Sequence, residues 1–197
     1  MRQNDGMRFE NSVFDLVSAL VQTNQFLLSE PNVKVCKKPK YYSKDRDSFI
    51  ECDITVEKYL FDIIEHPNLP PSIIVVIECK DYSDAIGVGK IEEFHSKLQQ
   101  IGADNTKGIL ITSRGKFQKS ALKYAESKGI ALARILPDEQ VKYIQYELAK
   151  RPPMVLPALN TIRALTEKGF QSDDGESFYA STGEMSLGEW IRNNIGV

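Results

Sequence analysis

The sequence is poor in the residues that build disulfide frameworks and zinc sites. Its 197 residues include three cysteines and two histidines. Cys36, Cys52 and Cys79 show no CxxC spacing, and His66 and His95 do not cluster with them. An odd number of scattered cysteines indicates neither a disulfide framework nor a zinc site. The same spacing gives no support to Ser/His/Asp or Cys/His catalysis, and we expect Cys52 and Cys79 to be small buried side chains.

Long apolar segments are also lacking. No stretch of the sequence approaches the roughly 20 apolar residues that a membrane-spanning helix needs. The first six residues, Met1–Gly6, do not show the apolar run of a signal peptide. We therefore expect a cytoplasmic protein without membrane contacts. Its 42% content of hydrophobic residues suffices for the core of one domain with a small appendage.

The net charge of −2 is small, but it is unevenly distributed. Residues 34–46 contain six basic residues and one acidic residue, together with Pro39, Tyr41 and Tyr42. This segment lies between two predicted strands and is therefore predicted to be an exposed basic loop. A solvated hairpin and a phosphate-binding loop explain its composition equally well, and its closeness to Asp53 favours the second. The proposed nucleic-acid-binding residues are Lys37, Lys38, Lys40, Lys44 and Arg46.

The periodicity of apolar residues predicts one continuous α/β domain. The predicted order is αβββαβαβ: a helix over 7–22, strands over 32–36, 48–56 and 73–80, a helix over 91–101, a strand over 108–112, a helix over 117–128 and a strand over 130–135. Alternation of the last strands with helices predicts parallel pairing there, and the first three strands are close enough for a meander. The result is a mixed sheet flanked by helices.

The C-terminal part of the sequence is predicted to be an appendage. Residues 138–150 show helical spacing, and Pro152 and Pro153 stop that helix. We therefore place a domain over residues 1–150 and a small appendage over residues 151–197. Because about 45 residues are few for an independent core, the appendage should pack on the domain or on a partner.

The tripeptide Glu78-Cys79-Lys80 is the main functional signal. It ends the apolar run 73–77 and follows Asp53 by 25 residues. Residues two apart in a strand share a face, so Glu78 and Lys80 should be neighbours. The strand over 48–56 alternates in the same way, which places Glu51, Asp53 and Thr55 on a face away from the core. If the two strands pair, Asp53 approaches Glu78, and Lys80 is the one compensating charge we place there.

These residues together suit metal-dependent chemistry. Two carboxylates at the end of a buried sheet form a hard oxygen site of the kind that Mg²⁺ prefers, and a neighbouring ammonium can orient water. The alternative is an exposed ion pair of little consequence. Burial of the run 73–77 argues against it, because an acid directly after such a run is costly to desolvate unless a cation or an open cleft receives it. Glu51 is expected to be a bystander.

The sequence resembles the PD-(D/E)XK nuclease superfamily, in particular Mrr-like restriction endonuclease domains. The resemblance covers roughly residues 7–136. The matching segments are Phe9-Glu10, Glu51–Ile54, Ile77–Tyr82, Lys107–Thr112 and the helix and strand over Phe117–Leu132. It implies the restriction-endonuclease-like fold, with the predicted αβββαβαβ order as its core.

The resemblance also implies roles for individual residues. Asp53 and Glu78 would coordinate Mg²⁺, for which Mn²⁺ can substitute, and the backbone carbonyl of Cys79 would join them. Lys80 would position the attacking water or help to deprotonate it. Family members use a helix glutamate to complete the metal site, and Glu10 is the matching residue. Glu10 equally suits a favourable acid at a helix N-terminus, which we expect it to occupy.

The implied function is a Mg²⁺-dependent DNA endonuclease of the restriction or defence type. One alternative is a nuclease of the same fold that acts on branched DNA or RNA. The other is a catalytically silent module that binds nucleic acid or a protein, although the presence of both acids and the lysine argues against it. Cutting both strands of DNA requires two active sites, which predicts a homodimer.

Overall fold

Three helices and eight strands make up the described part of the chain. The computed structural model describes residues 3–24, 26, 28, 31–113, 115–137 and 142–146. The elements are α1 (Gln3–Gln22), β1 (Val33–Lys37), β2 (Lys40–Ser43), β3 (Ser48–Glu51), β4 (Ile54–Lys58), β5 (Ile73–Lys80), α2 (Val88–Gly102), β6 (Thr106–Thr112), α3 (Lys119–Lys128), β7 (Ala131–Pro137) and β8 (Lys142–Tyr146). Among the helices described, none combines the length and apolar character needed to cross a membrane.

Six strands form one mixed sheet in the order β1-β4-β5-β6-β7-β8. Strands β1, β4 and β5 are antiparallel, β5, β6 and β7 are parallel, and β8 pairs antiparallel with β7. The parallel pairs are linked through α2 and α3, as right-handed crossovers require. Strands β2 and β3 form a separate two-stranded hairpin. This mixed sheet flanked by helices confirms the predicted fold class.

Both faces of the sheet are covered by apolar side chains. On one face α1 packs Val13, Val17 and Val21 over the side chains that include Val75 and Ile77 of β5. On the other face α2 and α3 cover a second set. That set includes Ile74, Val76, Ile91, Phe94, Leu98 and Leu110. Strand β5 is therefore buried on both sides, and the polar residues at its C-terminal end mark the edge where this core stops.

The single strand predicted over 48–56 is wrong, because the chain breaks it between Glu51 and Ile54. Ile50 and Cys52 pack on the α2 side, whereas Ile54 and Val56 pack on the α1 side. The break thus switches the face to which alternate residues point.

Thr55 is buried rather than on a face away from the core, and so is Glu57. The hairpin β2–β3 covers their side of β4, and the hydroxyl of Tyr41 donates to Glu57. The hydroxyl groups of Thr55 and Tyr59 also donate to Glu57, which satisfies this buried carboxylate.

Two further expectations are corrected. The basic segment 34–46 is not one exposed loop, because most of it belongs to β1 and β2, which are joined by a tight turn. The helix predicted over 138–150 is wrong for residues 142–146, which form strand β8. The sequence there, Lys-Tyr-Ile-Gln-Tyr, is rich in aromatic and β-branched residues, and β7 offers it a free edge. The predicted appendage over residues 151–197 lies outside the described residues.

Candidate active site

Glu78 lies between two lysine ammonium groups. It follows the buried part of β5 on the face covered by α2, and Lys80 follows two residues later on the same face. The Nζ atom of Lys80 lies 2.7 Å from Oε1 of Glu78, and the Nζ atom of Lys97 on α2 lies 2.8 Å from Oε2. The side chain of Glu78 is only 12% exposed. The predicted neighbourhood of Glu78 and Lys80 is confirmed, and Lys97 is added to it.

Asp53 is attached to the end of β5 through the backbone. It lies in the break between β3 and β4, and its Oδ2 atom accepts a hydrogen bond of 2.9 Å from the backbone N–H of Cys79. Its own carbonyl accepts the N–H of Lys38, and the N–H of Cys52 donates to the carbonyl of Pro39. The break between β3 and β4 and the turn between β1 and β2 therefore hold each other, and together they place this carboxylate beside the Glu-x-Lys tripeptide.

Lys38 joins Asp53 to α1. Its Nζ atom lies 2.8 Å from Oδ1 of Asp53 and 2.7 Å from Oε2 of Glu10. Helix α1 begins at Gln3, so Glu10 lies about two turns inside the helix. The expectation that Glu10 occupies a helix N-terminus is therefore wrong, since the helix dipole acts mainly within the first turn. Glu10 instead faces the segment that carries Asp53.

The lysines of the site are held in their charged form. Burial of Lys80 favours its neutral amine, but the hydrogen bond and charge of Glu78, with a contribution from Asp53, outweigh burial and raise the pKa of Lys80. Burial acts in the same sense on Lys38, and the hydrogen bonds and charges of Asp53 and Glu10 raise the pKa of Lys38 well above its ordinary value. Both side chains therefore act as cations at neutral pH.

The cysteines of this region are protonated thiols. Burial, together with the nearby acids, raises the pKa of Cys79 above its ordinary value, and burial raises the pKa of Cys52 to about 12. Both residues are buried, as predicted. A thiol with a raised pKa is a poor nucleophile and a poor metal ligand. The contribution of Cys79 to the site is therefore made by its backbone.

The site contains three carboxylates and three ammonium groups, not one cluster of acids. Glu10 and Asp53 share Lys38, while Glu78 is paired with Lys80 and Lys97. Within the described residues, no three His, Cys, Asp or Glu side chains gather as a metal-binding group. The idea that Lys80 is the one compensating charge is wrong, because Lys38 and Lys97 also supply charge.

The donor set nevertheless suits a hard divalent cation. The carboxylates of Asp53 and Glu78 and the carbonyl of Cys79 are all oxygen donors, which Mg²⁺ prefers. Each of the two carboxylates already faces a cation at 2.7–2.8 Å. A metal ion that took the place of an ammonium group would therefore find carboxylate oxygens that already point towards positive charge.

The remaining proposed nucleic-acid-binding residues lie on β1 and on the hairpin β2–β3. Lys37 donates a hydrogen bond to the side chain of Asn11, one residue after Glu10. Lys40 lies 3.5 Å from the exposed carboxylate of Glu51, so the expected bystander has an ion partner. Lys44 and Arg46 are exposed in the turn between β2 and β3. Of the five proposed nucleic-acid-binding residues, Lys38 therefore lies among the acids of the site, and the other four do not.

Lys97 was missed by the sequence analysis. It lies three residues after the buried Phe94 and one before the buried Leu98. This spacing puts it at the border of the apolar face of α2, from which a long side chain can reach the end of the sheet. The sequence does contain a signal for Lys97: a lysine at the border of the apolar face of the helix that follows the Glu-x-Lys strand.

A family model described as a restriction endonuclease, with an Mrr-type catalytic domain, matches residues 55–135. This part of the chain is therefore similar to the catalytic domain of Mrr-type restriction endonucleases. The match includes Glu78 and Lys80 and ends within β7, while Glu10 and Asp53 precede it. A comparison with curated proteins finds no significant relative of this chain.

Three solved structures resemble this chain at low identity. One is described as a protein of unknown function, AF1548, with 16% identity, a TM-score of 0.44 and coverage of 61% of this chain and 55% of that chain. A complex of EndoMS with double-stranded DNA has 14% identity, a TM-score of 0.38 and coverage of 62% and 44%. A repair endonuclease from Pyrococcus abyssi has 16% identity, a TM-score of 0.36 and coverage of 62% and 46%. This chain spans about half the length of those proteins.

Proposed function

We propose that the chain is an endonuclease that hydrolyses DNA phosphodiester bonds with Mg²⁺, or with Mn²⁺ in its place, and that it acts in restriction or defence. The observation that carries the proposal is the hydrogen bond between Asp53 and the backbone N–H of Cys79. It brings the separate carboxylate to the Glu-x-Lys end of β5 within a nuclease-family domain.

Each residue of the site has a role in this proposal. Asp53, Glu78 and the carbonyl of Cys79 hold the metal, and Glu10 completes the set from α1. A bound Mg²⁺ supplies a Lewis acid for the phosphate and lowers the pKa of a bound water. Lys80 is kept as an ammonium by Glu78, so it donates a hydrogen bond that positions the attacking water. Lys97, on the other oxygen of Glu78, fixes the orientation of that carboxylate.

The substrate and assembly are part of the same proposal. Lys37, Lys40, Lys44 and Arg46 lie on or next to the hairpin beside the site and would contact DNA phosphates. A homodimer, which cutting of both strands would require, stays a prediction. So does the division into a nuclease domain over residues 1–150 and an appendage over residues 151–197. Branched DNA or RNA is the alternative substrate, and a silent binding module is the alternative class.

The decisive experiment compares Asp53→Ala, Glu78→Ala and Lys80→Ala with the parent protein. Each should reduce Mg²⁺-dependent cleavage by about a hundredfold or more, because each removes a group that stabilises charge in the transition state. A double variant should be scarcely worse than the more damaging single variant, because cooperating catalytic groups are not additive. Cleavage is measured on supercoiled, linear, methylated and single-stranded DNA with Mg²⁺ and with Mn²⁺.

Matched controls are available on α3. Lys123 and Glu126 are exposed residues of that helix. Lys123→Ala and Glu126→Ala repeat the same chemical changes and should leave cleavage intact. If the folded parent protein cuts none of the substrates, or if Asp53→Ala and Glu78→Ala cut as well as the parent, the nuclease assignment fails and the binding-module alternative replaces it.

A further inference from the structure

Lys38 occupies the position of a cation between two acids that come from different elements. Glu10 belongs to α1 and Asp53 to the break between β3 and β4, and the Nζ atom of Lys38 lies 2.7 Å from one and 2.8 Å from the other. An ammonium group at these distances makes strong charge-assisted hydrogen bonds to both oxygens. A divalent cation bound by Asp53 and Glu10 would be held by the same two carboxylates.

The backbone holds Lys38 in this position at some cost. Its φ angle is +51°, in the left-handed region that favours glycine or asparagine. Its N–H donates to the carbonyl of Asp53 at 2.9 Å, and the next residue, Pro39, accepts the N–H of Cys52 at 3.0 Å. The turn is therefore fixed against the segment that carries Asp53. A lysine at a left-handed position points to a use of its side chain, since glycine would fit the backbone with less strain.

We propose that Lys38 is a resident cation that competes with the divalent metal and thereby sets the metal concentration that the site requires. The inference rests on the proposed function and adds to it a residue that controls metal loading. Mg²⁺ binds oxygen at about 2.1 Å, so a metal ion on the Asp53 carboxylate and the Lys38 ammonium group, now 2.8 Å from Oδ1, would repel each other strongly. Metal binding is therefore favoured when the Lys38 side chain leaves Asp53. Lys80 and Lys97 contact Glu78 rather than Asp53 or Glu10, so variants of Lys38 leave their charges in place.

The test measures Mn²⁺ binding to the DNA-free protein, by electron paramagnetic resonance and by calorimetry. Lys38→Gly and Lys38→Asn remove the ammonium group and suit the left-handed backbone, so both variants should fold. Each should bind Mn²⁺ about tenfold more tightly than the parent, as removal of a unit charge a few ångströms from the metal implies. Lys38→Arg keeps the charge and should show no gain.

Two further variants tie the effect to this acid pair. Lys123→Ala removes an exposed lysine of α3 that has no place in the site or in the hairpin, and it should leave Mn²⁺ affinity unchanged. Asp53→Ala combined with Lys38→Asn should lose the gain, because the oxygen for which the two cations compete is gone. Melting temperatures without metal confirm that each variant is folded.

The outcomes separate this inference from the proposed function. If the parent binds Mn²⁺ and cleaves DNA, but Lys38→Gly and Lys38→Asn bind equally or more weakly, Lys38 aligns the acids and the inference is wrong while the proposed function stands. If neither the parent nor the Lys38 variants bind Mn²⁺, the metal site itself is wrong and both fall. Only tighter Mn²⁺ binding by Lys38→Gly and Lys38→Asn supports the inference that Lys38 competes with the metal.

Discussion

At the scale of single residues, the site is an alternation of acids and lysines. Glu78 accepts hydrogen bonds from two ammonium groups, and Lys38 donates to two carboxylates. Breaking such a partly buried arrangement on one side leaves a charge without its partner, which costs more than the intact pair contributes. Acids that lie close together repel one another when no cation neutralises them. The lysines between them remove that repulsion.

Glu10→Gln tests whether the α1 carboxylate belongs to the site. The substitution keeps the size of the side chain and removes its charge. We expect several-fold weaker Mg²⁺ binding, because loss of a direct ligand outweighs the weaker hold on Lys38. The melting temperature should change little, because the Lys38 ammonium group is 40% exposed and keeps Asp53 as its partner when Glu10 loses its charge.

Metal titrations of cleavage and thermal unfolding curves provide the two measurements for Glu10→Gln. Restoration of cleavage at high Mg²⁺ would show that affinity, and not folding, has changed. A variant that melts earlier but cleaves with the parent's Mg²⁺ dependence would assign Glu10 to helix stability instead.

At the scale of elements, the site depends on how closely α2 approaches β6. Gly108 lies on β6, and a Cβ atom built there would be 2.4 Å from Cδ1 of Leu98 and 2.9 Å from Cε1 of Phe94. Only a residue without a side chain allows this contact. Because Lys97 directly precedes Leu98, the same contact sets how far Lys97 lies from Glu78.

Gly108→Ala should therefore destabilise the protein by about 1–3 kcal/mol through overpacking. Cleavage should also fall, because α2 would have to shift with Lys97. Gly89→Ala is the matched control, since nothing lies within 4 Å of a Cβ atom there. Gly89 is exposed on α2, so Gly89→Ala should leave the free energy of unfolding unchanged or raise it by up to about 1 kcal/mol.

Urea unfolding measures both glycine variants. A change of midpoint at constant slope reports stability alone. Equal midpoints for Gly108→Ala and the parent would show that α2 can move away from β6 without cost, and the structural account of this contact would be wrong.

At the scale of the whole molecule, the charge is distributed asymmetrically. The chain has a net charge of −2, yet six basic residues fall within residues 34–46. The structure places this segment along β1 and the hairpin, next to Asp53 and Glu10. Positive charge beside the proposed catalytic groups suits the approach of a phosphate backbone.

Replacing Lys40, Lys44 and Arg46 by alanine together tests that surface. DNA binding should weaken, and the dependence of the binding constant on salt should fall by roughly one unit per lost phosphate contact. Binding is measured in EDTA, so that cleavage does not interfere. Lys119, Lys123 and Lys128 on α3 are exposed and, replaced together, provide a control with the same change of charge.

The control variant should keep the affinity and salt dependence of the parent. If both triple variants weaken DNA binding equally, net charge alone is responsible and the hairpin has no special role. If neither does, phosphate binding lies elsewhere on the molecule.

The sequence by itself determined the fold class and the main pair of the site. Apolar periodicity was sufficient for α1, β5, α2 and the later strand–helix–strand unit, because each buries a regular face. Glu78 and Lys80 followed from the two-residue repeat of a strand and from the end of an apolar run. These features are local, so a short stretch of sequence is sufficient to predict them.

Tertiary structure decided the rest. The break at Asp53, the burial of Glu57 and the strand β8 all depend on which partner covers a segment, and local periodicity contains no information about that partner. Lys38 and Lys97 reach the acids from a turn and a helix that are distant in sequence from Glu78. Ion pairs of this kind form only when packing brings separate elements together, so only the folded chain assigns these lysines to the site.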